Sequence, residues 1–232
     1  MKRMLFLFSA LLALAAVSCS VNDDEGEYYQ YRLGIIEGSS AATFTILTDD
    51  GYRLKPSEFL SSGYEIVDGK RVLVQFAIVS ESESSEIDYE VKVAMIENVP
   101  VKDIISANEE VRDSLGNDPV TISALTLGNG YLNVQFSFYG QDADKHYLYM
   151  VYDEEKQDKE GFIALDFHHN AHDDIKASPY SGLFSFPVAQ FEEGESGTIK
   201  FLFRSRKEDN SIFTHELEYK YGAVAEGEEE EE

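Results

Sequence analysis

A single cysteine, Cys19, is the only thiol in 232 residues. One thiol excludes an intrachain disulfide framework and a cysteine-ligated zinc site. Tryptophan is absent, and there are only five prolines. Basic residues are scarce: 19 Lys and Arg stand against 44 Asp and Glu, a formal charge of −25. That field repels phosphate, so nucleic acid and anionic lipid headgroups are poor partners. The sequence also lacks a Gly-x-Ser-x-Gly elbow, a phosphate-cradling glycine loop and a His-Glu-x-x-His helix. No catalytic residue and no cofactor are therefore expected. What is present suits a packed β protein. Apolar residues make up 43% of the chain, enough for a core without staples. The 14 Tyr and 15 Phe favour strands.

The start of the chain is a targeting segment. Met1-Lys2-Arg3 is basic, and Leu5 to Val17 is apolar apart from Ser9. That stretch falls short of the roughly 20 residues a membrane-spanning helix needs, so 1–18 reads as a secretory signal peptide. It ends Ala16-Val17-Ser18-Cys19. These residues resemble the lipobox of bacterial lipoproteins, which implies cleavage before Cys19 and lipid attachment to its thiol. Loss of Lys2 and Arg3 takes the formal charge from −25 to −27. Residues 19–27, with Asp23-Asp24-Glu25, form a polar, disordered tether. It resembles the acidic surface-export signal of some Gram-negative lipoproteins. Glu226 to Glu232 holds six carboxylates in seven residues, so 223–232 is expected to be a disordered tail.

Between these ends, alternation dominates. Val72, Val74, Phe76 and Ile78 share one face of a strand, as do Leu132, Val134, Phe136 and Phe138. Phe213, His215, Leu217, Tyr219 and Tyr221 repeat the pattern. Asp50-Gly51, Asp68-Gly69 and Asn129-Gly130 read as hairpin turns, because these pairs tolerate positive φ. Helical signals are few: one turn at 57–60 and a short helix over 101–113, with Ala107 to Glu110 as good helix formers. The turn residues of Ser114-Leu115-Gly116-Asn117-Asp118-Pro119 suggest a domain boundary at 113/114.

Several of these segments, in order, resemble the NigD-like lipoproteins of Gram-negative anaerobes. They include Leu47-Thr48-Asp49-Asp50-Gly51, Gly69-Lys70-Arg71-Val72-Leu73-Val74, Asp113 to Val120, Gly128 to Val134, and Leu165 to Asp174. The resemblance implies an OB-like β barrel over 28–113 and an antiparallel β sandwich over 114–222. It implies no activity; the family takes its name from a bacteriocin-associated gene cluster. His168, His172 and Asn129 depart from the usual family pattern.

The densest polar cluster is His168, His169, His172, Asp173 and Asp174. Strand alternation sends His168 and His169 to opposite faces. His169 and His172, with Asp173 or Asp174, are the candidate metal ligands; zinc wants three or four such donors. The competing reading is a turn in which Asn170 and the Asp side chains bond backbone N–H groups. Asp142-Ala143-Asp144 begins like a calcium loop but lacks its Gly and Glu. Tyr28, Tyr29, Tyr31 and Tyr52 are candidates for a sugar-stacking face, or are half-buried strand aromatics. Residues 20–113 carry 20 acids against 8 bases, unlike a nucleic-acid-binding barrel.

The expected protein is an outer-membrane lipoprotein, anchored through Cys19 and exposed at the cell surface. It acts as a non-catalytic binding or accessory module whose partner is a basic protein, a peptide or a glycan. The alternative is a secreted hydrolase or metal-dependent enzyme using the 168–174 cluster or a carboxylate pair.

Overall fold

The computed structural model describes residues 28–222. The signal segment, Cys19, the tether and the acidic tail lie outside the described residues.

Five strands form the first unit: β1 (Gln30–Glu37), β2 (Thr45–Thr48), β3 (Arg53–Phe59), β4 (Arg71–Glu81) and β5 (Tyr89–Asn98). They close into a barrel in the order β1-β2-β3-β5-β4, with β3 and β5 parallel. Val72, Val74 and Phe76 point inward as their alternation requires, against Ile36, Ile46, Leu54, Val91 and Val93. Ile78 completes the pattern in sequence but is 46% exposed. It stands at the barrel mouth, where the β4–β5 register slips between Ile78 and Ser80. The opposite end is closed by the segment 60–70, whose Tyr64 and Ile66 pack on the barrel core. Tyr64 Oη donates to Asn98 Oδ1 at 2.6 Å.

Two local expectations change here. Residues 57–59 are the end of β3 rather than a helical turn, because β3 pairs in parallel with β5. Asp68-Gly69 is a turn but not a hairpin, since β4 pairs with β1 and β5 and not with β3. Its carboxylate instead accepts from Gly38 N at 2.7 Å, tying segment 60–70 back to the end of β1.

The second unit contains β6 (Ile104–Ser106), α1 (Glu109–Ser114), β7 (Thr121–Gly128), β8 (Tyr131–Gly140), β9 (Tyr147–Tyr152), β10 (Ile163–Asn170), β11 (Ser178–Pro187), β12 (Gly197–Arg206) and β13 (Ile212–Tyr221). A five-stranded sheet, β13-β12-β10-β9-β6, faces a three-stranded sheet, β11-β8-β7. The sandwich is thus not wholly antiparallel: β10 pairs with β12, and β6 with β9, in parallel. The β7–β8 hairpin turns on Asn129 and Gly130, both at positive φ, between paired Gly128 and Tyr131. Phe136, Phe167, Phe186, Phe201 and Phe203 fill the space between the sheets. Full burial of such a side chain contributes about 1.5–3 kcal/mol.

The domain boundary moves to the segment between Asn98 and Ile104. Ile104 and Ile105 are β-branched and extend the five-stranded sheet as β6, so the helix expected over 101–113 shrinks to α1. Asn108 caps α1, its Oδ1 accepting from Val111 N at 2.8 Å. The chain then crosses the sheet face opposite the core. Asn170 Nδ2 donates to Ser114 O at 2.9 Å, and Asp118 N donates to His169 O at 2.8 Å. Val151, Ala164 and Leu202 alternate to that face, and all three are buried.

The units meet across a buried polar network. Arg71 lies on the outside of β4 and is 2% exposed. Its Nη1 and Nη2 donate to the two carboxylate oxygens of Asp49. Its Nη2 also donates to Asn133 Oδ1 at 2.9 Å, and its Nε to Ser185 Oγ at 3.2 Å. The guanidinium sits 4.7 Å from the Tyr131 ring centroid. Backbone bonds run beside it, from Ser185 N to Pro100 O and from Lys102 N to Ser185 O, both 3.0 Å.

Candidate functional site

The strand β10 separates its two histidines as alternation requires. His168 Nδ1 donates to Gly116 O at 3.0 Å on the outer face. His169 points inward, with Nδ1 2.9 Å from Pro119 O and Nε2 2.8 Å from His146 Nδ1. His146 Nε2 in turn lies 3.1 Å from Asp174 Oδ2. The proposed ligand set therefore does not converge. His172 is bound elsewhere, its Nδ1 2.8 Å from Lys145 O, and Asp173 is an exposed turn residue at positive φ. The Asp174 carboxylate accepts from Asp142 N and Gln141 N at 2.9 and 2.6 Å. Those N–H groups, the Asp142 one foremost, hold its carboxyl well below the usual range. Among the described residues, no three His, Cys, Asp or Glu side chains gather as metal ligands. His146, which no motif singled out, completes the inner cluster; Gly140 makes room for its ring. Asp142 and Asp144 sit in a short loop where Asp142 Oδ1 accepts from Asp144 N at 3.2 Å.

Open concavities lie on the barrel. One runs between the loops 38–44 and 82–88 and holds about 670 Å³, with Thr45, Arg53, Lys55, Ser82 and Ser84 along it. Its cations are committed to the chain: Arg53 pairs with Glu37 at 2.7 and 3.1 Å, and Lys55 Nζ donates to the carbonyls of Ala42 and Phe44. A second cleft, about 190 Å³, is the barrel mouth. Phe76 and Leu54 form its buried floor, and Tyr52 and Tyr89 its wall. Those two rings meet at 5.5 Å between centroids, tilted by 58°. The parallel β3–β5 pairing produces this contact by setting Leu54 beside Tyr89. On the rim, Arg32 Nε donates to Asp50 Oδ2 at 2.9 Å, and both side chains remain 41% exposed. A third groove, about 390 Å³, shares Arg32 and Asp50 and follows the seam between Tyr31 and Leu73 of the barrel and Leu127 of the sandwich.

Of the four tyrosines singled out in sequence, Tyr52 lines the mouth and Tyr31 the seam. Tyr28 is exposed and lines neither groove; Tyr29 is half-buried and likewise lines neither.

Residues 34–99 match the NigD-like N-terminal OB domain, and residues 103–219 match the NigD-like C-terminal beta sandwich domain. The chain belongs to the NigD-like family. No curated protein matches it in sequence. Solved structures share the fold of this NigD-like chain. A protein of unknown function from Bacteroides vulgatus is 21% identical, with a TM-score of 0.71 over 83% of this chain and 91% of that one. A NigD-like immunity protein from Bacteroides caccae is 18% identical, with a TM-score of 0.62 over 84% and 97%. A Bacteroides fragilis protein described as a proposed lipoprotein is 10% identical, with a TM-score of 0.53 over 86% and 100%.

Proposed function

We propose that this NigD-like chain is a lipid-anchored envelope protein, displayed at the cell surface, that works as a non-catalytic binding module. The observation that carries the reading is the Arg71 network. It joins barrel and sandwich through buried, mutually satisfied polar groups, so the grooves of the barrel and the seam are presented together. The 168–174 cluster supports the same reading: its histidines are bonded to the backbone carbonyls of Gly116, Pro119 and Lys145, and His169 also to His146. Anchoring follows from the lipobox-like residues ending at Cys19, and the similar fold of a proposed lipoprotein agrees with it. A peptide toxin is one class of partner on this reading, and the shared fold of a NigD-like immunity protein supports it. The strong negative charge steers basic partners in a salt-dependent way.

The test is fractionation of intact cells with and without Cys19→Ser, followed by protease treatment beside a periplasmic marker. The wild-type chain should pellet with membranes and be clipped while the marker survives. The variant should be soluble. A variant that still pellets removes the lipid anchor from the reading, and a wild-type chain protected with the marker removes surface display.

A further inference from the structure

We propose that the barrel mouth is a binding site for a neutral glycan, seating one or two pyranose rings against Tyr52. The proposal rests on the binding-module reading above and names the ligand class.

The mouth has two kinds of wall. Tyr52 is 44% exposed and Ile78 46% exposed at its lip, above the buried Phe76 and Leu54. The electron-rich face of an aromatic ring accepts the C–H face of a pyranose, and a rigid ring costs little conformational entropy to use. The Arg32–Asp50 pair also lines the mouth. Arg32 spends Nε on Asp50 and Nη1 on Tyr31 O at 2.9 Å, which leaves Nη2 as a donor beside the second carboxylate oxygen of Asp50, both on side chains 41% exposed. A donor beside an acceptor matches adjacent hydroxyl groups, which donate and accept at once.

Charge selects the class. The chain carries a formal −25, yet the two ionised groups lining this mouth cancel. A cationic peptide would be drawn to the uncompensated acids elsewhere, and an anionic ligand would be repelled by the whole field. A neutral, polyhydroxylated ligand meets neither penalty. The 670 Å³ groove is the weaker candidate, because no aromatic ring lines it.

The experiment uses the full lipid-bearing chain in detergent micelles. It is titrated with neutral oligosaccharides of glucose, mannose, galactose and N-acetylglucosamine, and with oligogalacturonate as the anionic counter-probe. Calorimetry reads binding, and tyrosine fluorescence gives a second signal because no tryptophan masks it. At least one neutral oligosaccharide should bind at millimolar concentration or below, and oligogalacturonate should not. Tyr52→Ala should weaken binding by about tenfold or more, while Tyr52→Phe stays within about twofold. Tyr147→Ala, an exposed ring on the sandwich, should leave binding unchanged. If Tyr52→Ala does not melt like the wild type, Arg32→Met replaces it, with the same expected loss. The proposal fails if no neutral oligosaccharide binds, if the anion binds equally well, or if affinity survives Tyr52→Ala. Anchoring and display are read without any sugar, so such a failure leaves them standing. Their failure would likewise leave the cleft's affinity intact.

Discussion

Arg71 of the barrel and Asn133 of the sandwich meet at 2.9 Å in the interior, 62 residues apart in sequence. Asn133 accepts from Arg71 and Ser185 through Oδ1, and donates to Asp49 through Nδ2 at 2.8 Å. The bonds from Arg71 to Asn133 and Ser185 and from Asn133 to Asp49 therefore exist only while both domains are in place. Arg71→Ala would leave the Asp49 carboxylate and the Asn133 and Ser185 side chains short of partners. Loss of one member of a buried pair costs about 3–5 kcal/mol. The expected outcome is a lower melting temperature, with barrel and sandwich separating into two calorimetric transitions. Arg71→Lys should not restore the wild type, because one ammonium cannot fork to Asp49 while reaching Asn133 and Ser185. A single unshifted transition in Arg71→Ala would show that the domains are held by something else.

Gly116 tests how segment 115–119 is held on the sheet. It adopts φ +68°, and an added Cβ would stand 2.5 Å from Asn170 Cβ and 2.7 Å from its Cα. Gly116→Ala thus combines left-handed strain, about 1–2 kcal/mol, with overpacking, about 1–3 kcal/mol. Gly161 has φ +76° with open space around it, so Gly161→Ala carries the strain alone. Urea midpoints should fall in the order wild type, Gly161→Ala, Gly116→Ala. Equal shifts for the two variants would mean that Asn170 moves aside without cost.

The strands were legible because their chemistry is local. The pattern through Leu132, Val134, Phe136 and Phe138 placed those side chains in the core, where they lie. The same pattern puts Asn133 on the opposite face, yet it too is buried, at 2% exposed. Alternation assigns a residue to a face but does not say what docks on that face. The barrel, more than 30 residues upstream, covers this one. His146 was illegible for a related reason. It follows a loop, belongs to no motif, and meets His169 only because β9 and β10 are antiparallel neighbours. Tyr89 joins Tyr52 through a parallel pairing that no local spacing announces. The helix expected over 101–113 is shorter in the structure because a sheet edge, invisible to local propensity, captures Ile104 and Ile105.

The relay from Pro119 through His169 and His146 to Asp174 makes the sandwich acid-sensitive. Pro119 O can only accept, so His169 Nδ1 carries a proton. Asp174, ionised and already holding two backbone N–H groups, also accepts, so His146 Nε2 donates to it. The central bond then runs from His146 Nδ1 to His169 Nε2, and the second ring is the neutral Nδ1–H form. Burial is the main cause that keeps His169 from taking a further proton and holds its pKa below the usual value; the neighbouring His146 and Lys176 act in the same direction, while Pro119 O and Asp118 oppose them. A proton on His169 Nε2 would also place two N–H groups against each other. Because the folded His169 pKa is depressed, the unfolded chain binds more protons as pH drops, and stability declines below about pH 6.5. Asp174 is also depressed, so its contribution is present above about pH 4 and is lost as pH falls further. The urea midpoint should therefore decline from pH 7 to pH 5 and more steeply below pH 4. Nitrogen-edited spectra of the imidazoles should show His169 retaining its neutral Nδ1–H form at pH 5.5, below the ordinary histidine pKa. A His169 midpoint near 6.5 would mean that the relay is open to water and that the hydrogen-bond order drawn here is wrong.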